Sequence, residues 1–97
     1  MHARVSRYSG DAELLGAGFE AVSTELEQLE GFAQALFLVD ATTSRAMSIT
    51  LWENEEAMEA SAERAHQMRT RATAPASATI DSIESYEVVL TAAAGAR

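Results

Sequence analysis

The stretch that most constrains the fold is FAQALFLVD, residues 32–40, because it is apolar on both of the faces a strand presents. Successive strand side chains point to opposite sides, so Ala35, Phe37 and Val39 share one face and Leu36 and Leu38 the other. Such a strand needs cover on both sides. It is either an interior strand or one with a partner molecule behind it. The closing stretch SYEVVL repeats the pattern over residues 86–90. Two helices can cover only one face of a sheet built from such strands, so the pattern predicts a second chain on the other face.

The remaining elements follow from local signals. HARVSRY, residues 2–8, alternates as a strand, with Ala3 and Val5 on one side and Arg4, Ser6 and Tyr8 on the other. Gly10 breaks it, and Asp11 is a good helix N-cap. Leu15, Phe19, Val22, Leu26 and Leu29 then recur at helical spacing, and Gly31 suits the C-terminal end of that helix. After strand 32–40, ATTSR has the length of a hairpin loop. AMSITLW returns as a third strand, with Met47, Ile49 and Leu51 on one face and Ser48, Thr50 and Trp52 on the other. Periodicity assigns Leu26 and Ile49 to the core. Asn54 caps a second helix, whose inner stripe is Met58, Ala62, Ala65, Met68 or Arg69, and Ala72. Pro75 ends it, and IDSIESYEVVL gives a last strand closing near Leu90.

The order strand, helix, strand, strand, helix, strand predicts an α+β, ferredoxin-like βαββαβ fold. It is a four-stranded antiparallel sheet with two helices on one face, pairing with a second copy through the other. A chain of 97 residues suits a single domain, with its core at about residues 3–91 and a frayed tail at 92–97. Fifteen acidic residues against seven basic ones give a net charge of −8, a field that repels phosphate backbones and argues against nucleic acid. No cysteine is present, which excludes disulfides, thiolate catalysis and zinc-thiolate sites. No apolar run approaches the roughly 20 residues of a membrane span, and the first residues lack the apolar run of a leader, so a soluble, cytoplasmic protein is expected. Two histidines and scattered carboxylates show no metal-ligand spacing, and nothing resembles a phosphate loop or a nucleophile triad.

Gly31-Phe32, the apolar strand ending in Asp40, the tract SITLWENEEAMEAS at 48–61 and the closing IESYEVV together resemble the antibiotic biosynthesis monooxygenase (ABM) domain family. The resemblance covers roughly residues 3–91, and the tract from Ser48 to Ser61 is its most specific part. It implies a dimeric α/β barrel in which two such sheets pack face to face. Members of that family include cofactor-free oxygenases that convert polycyclic aromatic phenols to quinones, others degrade haem, and many have no known substrate. The haem-degrading relatives use an Asn on the first strand with a Trp and a His on the second helix. Here the first strand offers Arg4 and Ser6, and the second helix contains no Trp.

The resemblance and the residue types together give a candidate site without cofactor or metal. Trp52, His66 and Tyr86 are the candidate catalytic residues, and Arg4, Asn54 and Phe19 the candidate substrate contacts. Trp52 can stack on a planar substrate, although a Trp that ends a strand more often plugs the core. His66 borders the inner stripe of the second helix and titrates in the range useful for moving a phenolic proton. Its ordinary role would be a partly exposed structural one. Tyr86 and Tyr8 can position a substrate hydroxyl, and Arg4 can stabilise a phenolate or a carboxylate. Asn54 can reach a substrate oxygen, but N-capping is its commoner use. Arg64, Arg69 and Arg71 read as a solvated helix face with i,i+4-type pairs.

Two functions from different classes follow. One is a cofactor-independent monooxygenase acting on an aromatic, phenolic or quinone-like molecule, marked by Trp52, His66 or Tyr86 converging on an enclosed cavity. The other is a non-catalytic dimeric binding or assembly protein on the same scaffold, marked by those residues dispersed and the interior filled.

Overall fold

A computed structural model describes residues 1–95. The strands are β1 (His2–Ser9), β2 (Phe32–Asp40), β3 (Arg45–Trp52) and β4 (Thr79–Glu87). The helices are α1 (Ala12–Leu26), α2 (Glu55–Ala60) and α3 (Ala62–Thr73), followed by a 3-10 turn at Ala74–Ala76. All strand pairs are antiparallel, in the order β2-β3-β1-β4. The helices pack on one face, so the domain has the expected α+β, ferredoxin-like architecture. Among the described residues no helix is long and apolar enough to cross a membrane.

The helix starts obey their local chemistry. Asp11 caps α1, its carboxylate accepting from the Leu14 amide at 2.9 Å. Asn54 caps α2 in the same way, accepting from Ala57 N at 2.8 Å. The α1 stripe of Leu15, Phe19, Val22 and Leu26 is buried. Gly18 lets α1 and α3 approach, since a Cβ at that position would collide with the Ala72 carbonyl oxygen. Gly31 stands at φ 78° in the turn before β2 and not at the helix end, because α1 stops at Leu26. Leu29 thus leaves the helical stripe, although it still packs against the core.

Several expectations change. The second helix is broken at Ser61 into α2 and α3. The Met58 carbonyl, which a continuous helix would offer to the amide of residue 62, instead accepts from the Ser61 hydroxyl and the Arg4 guanidinium, both at 2.7 Å. β2 lies at the sheet edge, so its two apolar faces do not reflect an interior position. β4 ends at Glu87, not Leu90, because β1 begins at His2, opposite Glu87. One further bond joins Val88 N to Met1 O at 2.9 Å, and Val89 and Leu90 project unpaired and exposed. Of the expected tail at 92–97, residues 92–95 carry no regular structure and 96–97 lie outside the described residues.

The largest correction concerns the faces of the central strands. In an antiparallel sheet directly opposed residues share a face. Register pairs Arg4 with Thr50, Ser6 with Ser48 and Tyr8 with Ala46, and all six are buried beneath the helices. Ile49, with Met47 and Leu51, lies on the open face, opposite Val5, Arg7 and Ala3. Leu36 and Leu38 of β2 join them and are about half exposed. The two central strands, β1 and β3, therefore turn most of their polar residues inward and most of their aliphatic ones outward.

The solvated side of the helices is tied by ion pairs between elements, not along one helix. Arg71 meets Glu25 of α1 at 2.7 Å, and Arg64 reaches the same carboxylate at 3.7 Å. The Arg71 hydrogen bond is the main reason the Glu25 carboxyl is held below its ordinary value of 4.5. A lowered folded value makes this contribution present above pH 4.5 and lost as pH falls through the folded value. Glu25→Gln is therefore expected to lower Tm slightly at neutral pH, with the gap closing on acidification. A gap that widened in acid would contradict the assignment.

Candidate active site

Five elements converge on a narrow cavity between the sheet and the helices. Its floor is Arg4, Ser6 and Tyr8 from β1 with Ser48 and Thr50 from β3. Its walls are Phe19, Val22 and Leu26 from α1, Phe37 from β2, and Ala65, Met68, Arg69 and Ala72 from α3. The Phe19 ring is the hub of an aromatic run, 5.2 Å from Tyr8 and 5.1 Å from Phe37 between centroids. The space is about 40 Å³. That is room for a water or two, whereas drug-sized ligands occupy pockets of roughly 300–1,000 Å³. A ring can enter only if the helix wall moves.

The polar groups of this cavity are few and fixed. The Tyr8 and Ser48 hydroxyls share a hydrogen bond of 2.8 Å. Arg4 is only 7% exposed, donating from Nη2 to the Met58 carbonyl and from Nη1 to Ser61 Oγ at 3.2 Å. Its guanidinium carbon lies 5.8 Å from the centre of the Trp52 ring, within cation–π range. Burial, and secondarily the charge of Arg69, hold the Arg4 guanidinium below its ordinary pKa. Arg69 is likewise lowered by burial, and its Nε is buried without an acceptor. Arg69 is therefore no member of a solvated face; being next to Met68, it could be read on either side of the helix.

The candidate residues do not meet at one point. Arg4 and Phe19 line the cavity. Trp52 is fully buried but stands behind Arg4, its Nε1 donating to Thr50 Oγ1 at 3.0 Å and its ring edge-on to Phe32 at 5.5 Å. His66 is exposed on α3 and lines none of the cavities described. Asn54 is occupied as the α2 cap. Tyr86 shares the open sheet face with Ala3, where its hydroxyl donates to Glu84 Oε2 at 2.6 Å. That bond holds the phenol above its ordinary value of 10. Ser6, Ser48, Thr50 and Arg69 enter the site unanticipated; the polar alternation of β1 and β3 could have found the first three, and the choice of Met68 or Arg69 on the helix stripe the last. Among the described residues no group of three His, Asp or Glu side chains could hold a metal ion.

No protein-family model matches the sequence, and no curated protein matches it significantly. Solved structures do match in three dimensions. A Deinococcus radiodurans protein provisionally described as an antibiotic biosynthesis monooxygenase superposes with a TM-score of 0.74 at 18% identity, over 99% of this chain and 100% of that one. SnoaB, a cofactor-independent oxygenase from Streptomyces nogalater, gives 0.73 at 15% identity over 93% and 94%. The heme-degrader MhuD of Mycobacterium tuberculosis, with two hemes in its active site, gives 0.74 at 23% identity over 96% and 100%. Likeness at these identities speaks for the scaffold, and the chain has the antibiotic biosynthesis monooxygenase fold.

Proposed function

We propose that this protein is a homodimeric, cofactor-independent monooxygenase that oxidises a small phenolic aromatic to a quinone-like product. The observation that carries the reading is the polar floor. A sheet face covered by helices only for packing would be apolar, yet here Arg4, Ser6, Tyr8, Ser48 and Thr50 lie buried beneath them. Polar groups converging on an aromatic-walled cavity are what a small-molecule site requires. The similarity to SnoaB, itself a cofactor-independent oxygenase, supports the same chemistry on this scaffold.

In this reading the substrate ring lies against Phe19 and Phe37, and its oxygen meets the Tyr8–Ser48 pair and Arg4. Deprotonation of the phenol makes the ring electron-rich enough to reduce dioxygen. A phenol with a free para position plus O2 gives a quinone plus water. The substrate supplies all four electrons, one oxygen atom enters the ring and the other leaves as water, so no external reductant is needed. Arg4 stabilises the oxyanion, and the hydroxyl pair relays the proton. Haem as substrate is less well supported, since no histidine lines the cavity.

The small volume favours the other reading, a binding or assembly protein with its pocket closed. Oxygen uptake with a panel of anthrones and naphthols separates the two. One O2 consumed per quinone, with label from 18O2 in the product, is the expected result. Tyr8→Phe should lower turnover at least about 100-fold, the usual scale for losing a proton-relay group. No uptake above a heat-treated blank across the panel would leave the binding reading.

A further inference from the structure

We propose that Arg4 and Arg69 together form an anion-recognition pair, so that the molecule entering the cavity carries a carboxylate or an ionised phenol on an aromatic ring. The proposal rests on the reading of this cavity as a substrate site and specifies what that site selects.

The two arginines come from opposite sides of the cavity, Arg4 from the β1 floor and Arg69 from the α3 wall. Neither has a counter-ion. Among the described residues the ion pairs use His2, Arg7, Arg64 and Arg71, and the Glu25 carboxylate is taken by the last two. Arg4 donates only to neutral acceptors, the Ser61 hydroxyl and the Met58 carbonyl. The buried Nε of Arg69 has no acceptor at all. Glu55, Glu59 and Glu87 line a second cleft of about 410 Å³ that also borders both arginines, yet none makes an ion pair with either.

This pattern is costly for a structural role. A chain with fifteen acidic and seven basic residues has carboxylates in excess, so pairing a buried arginine internally is easy. Leaving two guanidiniums close enough for one to depress the other, with an orphaned N–H between apolar walls, costs free energy that an incoming anion recovers. A guanidinium presents a planar fork suited to a delocalised oxyanion. The 40 Å³ already open between the sheet and α3 accommodates such a head group even where it excludes a ring.

The test is an NMR titration of the full-length protein, without turnover, following the arginine Nε–Hε resonances. The probes are benzoate, its uncharged isostere benzamide, and a tetrafluorophenol that is ionised at pH 8. The anions should shift the Arg4 and Arg69 signals saturably and bind at least about tenfold more tightly than benzamide, the scale of a charge-assisted hydrogen bond. Whichever anion binds more tightly identifies the carboxylate or the phenolate as the natural group. Arg69→Gln should abolish the preference over benzamide, whereas Arg64→Gln, on the solvated face, should leave it intact. Arg69→Lys, which keeps the charge without the fork, should retain part of it. Equal affinity for benzoate and benzamide in the unmodified protein would overturn the proposal, as would no saturable binding or a preference surviving in a folded Arg69→Gln variant. Anion preference without oxygen uptake would defeat only the oxygenase reading; turnover of neutral substrates without anion preference would defeat only this one.

Discussion

Trp52→Ala is expected to cost about 3–5 kcal/mol, the range for deleting a large buried aromatic. Trp52 is 0% exposed and ends β3 beneath α2, where it packs edge-on to Phe32 and lies beneath the Arg4 guanidinium. Its loss opens a void the surrounding backbone cannot fill. It also strips Arg4 of its aromatic platform and Thr50 of its hydrogen bond from the indole. A domain of this size is stable by only about 5–15 kcal/mol, so the variant should lose roughly 15 °C or more in Tm. Trp52→Phe, which keeps a ring under Arg4, should recover most of the loss. A penalty below about 1 kcal/mol would show that the indole is not the plug described. Because Trp52 lies behind Arg4, its effect on turnover should follow from Arg4 losing its position and not from lost substrate contact.

The architecture was legible in the sequence, and the orientation of the sheet was not. Caps at Asp11 and Asn54, the α1 stripe and the two-residue period of the strands gave the element order directly. Period two divides a strand into two faces but does not say which face meets the helices. The usual rule sends the apolar face inward, and for β1 and β3 that rule fails. Met47, Ile49 and Leu51 face out because the space under the helices holds the polar floor of a cavity. Local sequence rules give way most often at functional sites, which is why the same failure that misplaced Ile49 also points to the site.

The site residues were legible in part for the same reason. Arg4 and Phe19 were found because charge on a strand and an aromatic on a buried stripe are visible locally. His66 was judged from its spacing to Met58, but the break at Ser61 interrupts that spacing, and the imidazole faces solvent. Tyr86 shares a row with Ala3 and not with Arg4, so it leaves the sheet on the opposite side, although both residues border an outer cleft that does not reach Phe19. Two residues adjacent in pairing but opposite in face look alike in sequence.

The misplaced face carries the last expectation: Ile49→Asp should convert a dimer into a monomer. Register puts Ile49 at the centre of the open face, in the row Leu36, Ile49, Val5 and Glu84, with Leu38–Met47 and Leu51–Ala3 on either side. A contiguous aliphatic sheet face uncovered by any helix commonly marks a protein–protein contact. A second copy laid sheet to sheet would cover it, with a total interface above about 1,200 Å². Light scattering at micromolar concentration should then give twice the 10.4 kDa of the chain, and Tm should rise with concentration. A carboxylate at Ile49 would be stripped of water at the centre of that contact without a partner, a penalty of several kcal/mol that only the dimer suffers. The variant should therefore run at 10.4 kDa with a concentration-independent Tm, while Thr42→Asp, in the exposed β2–β3 hairpin, should remain dimeric. A monomeric mass for the unmodified protein, or a dimer that survives Ile49→Asp, would mean that the aliphatic face serves something other than self-association.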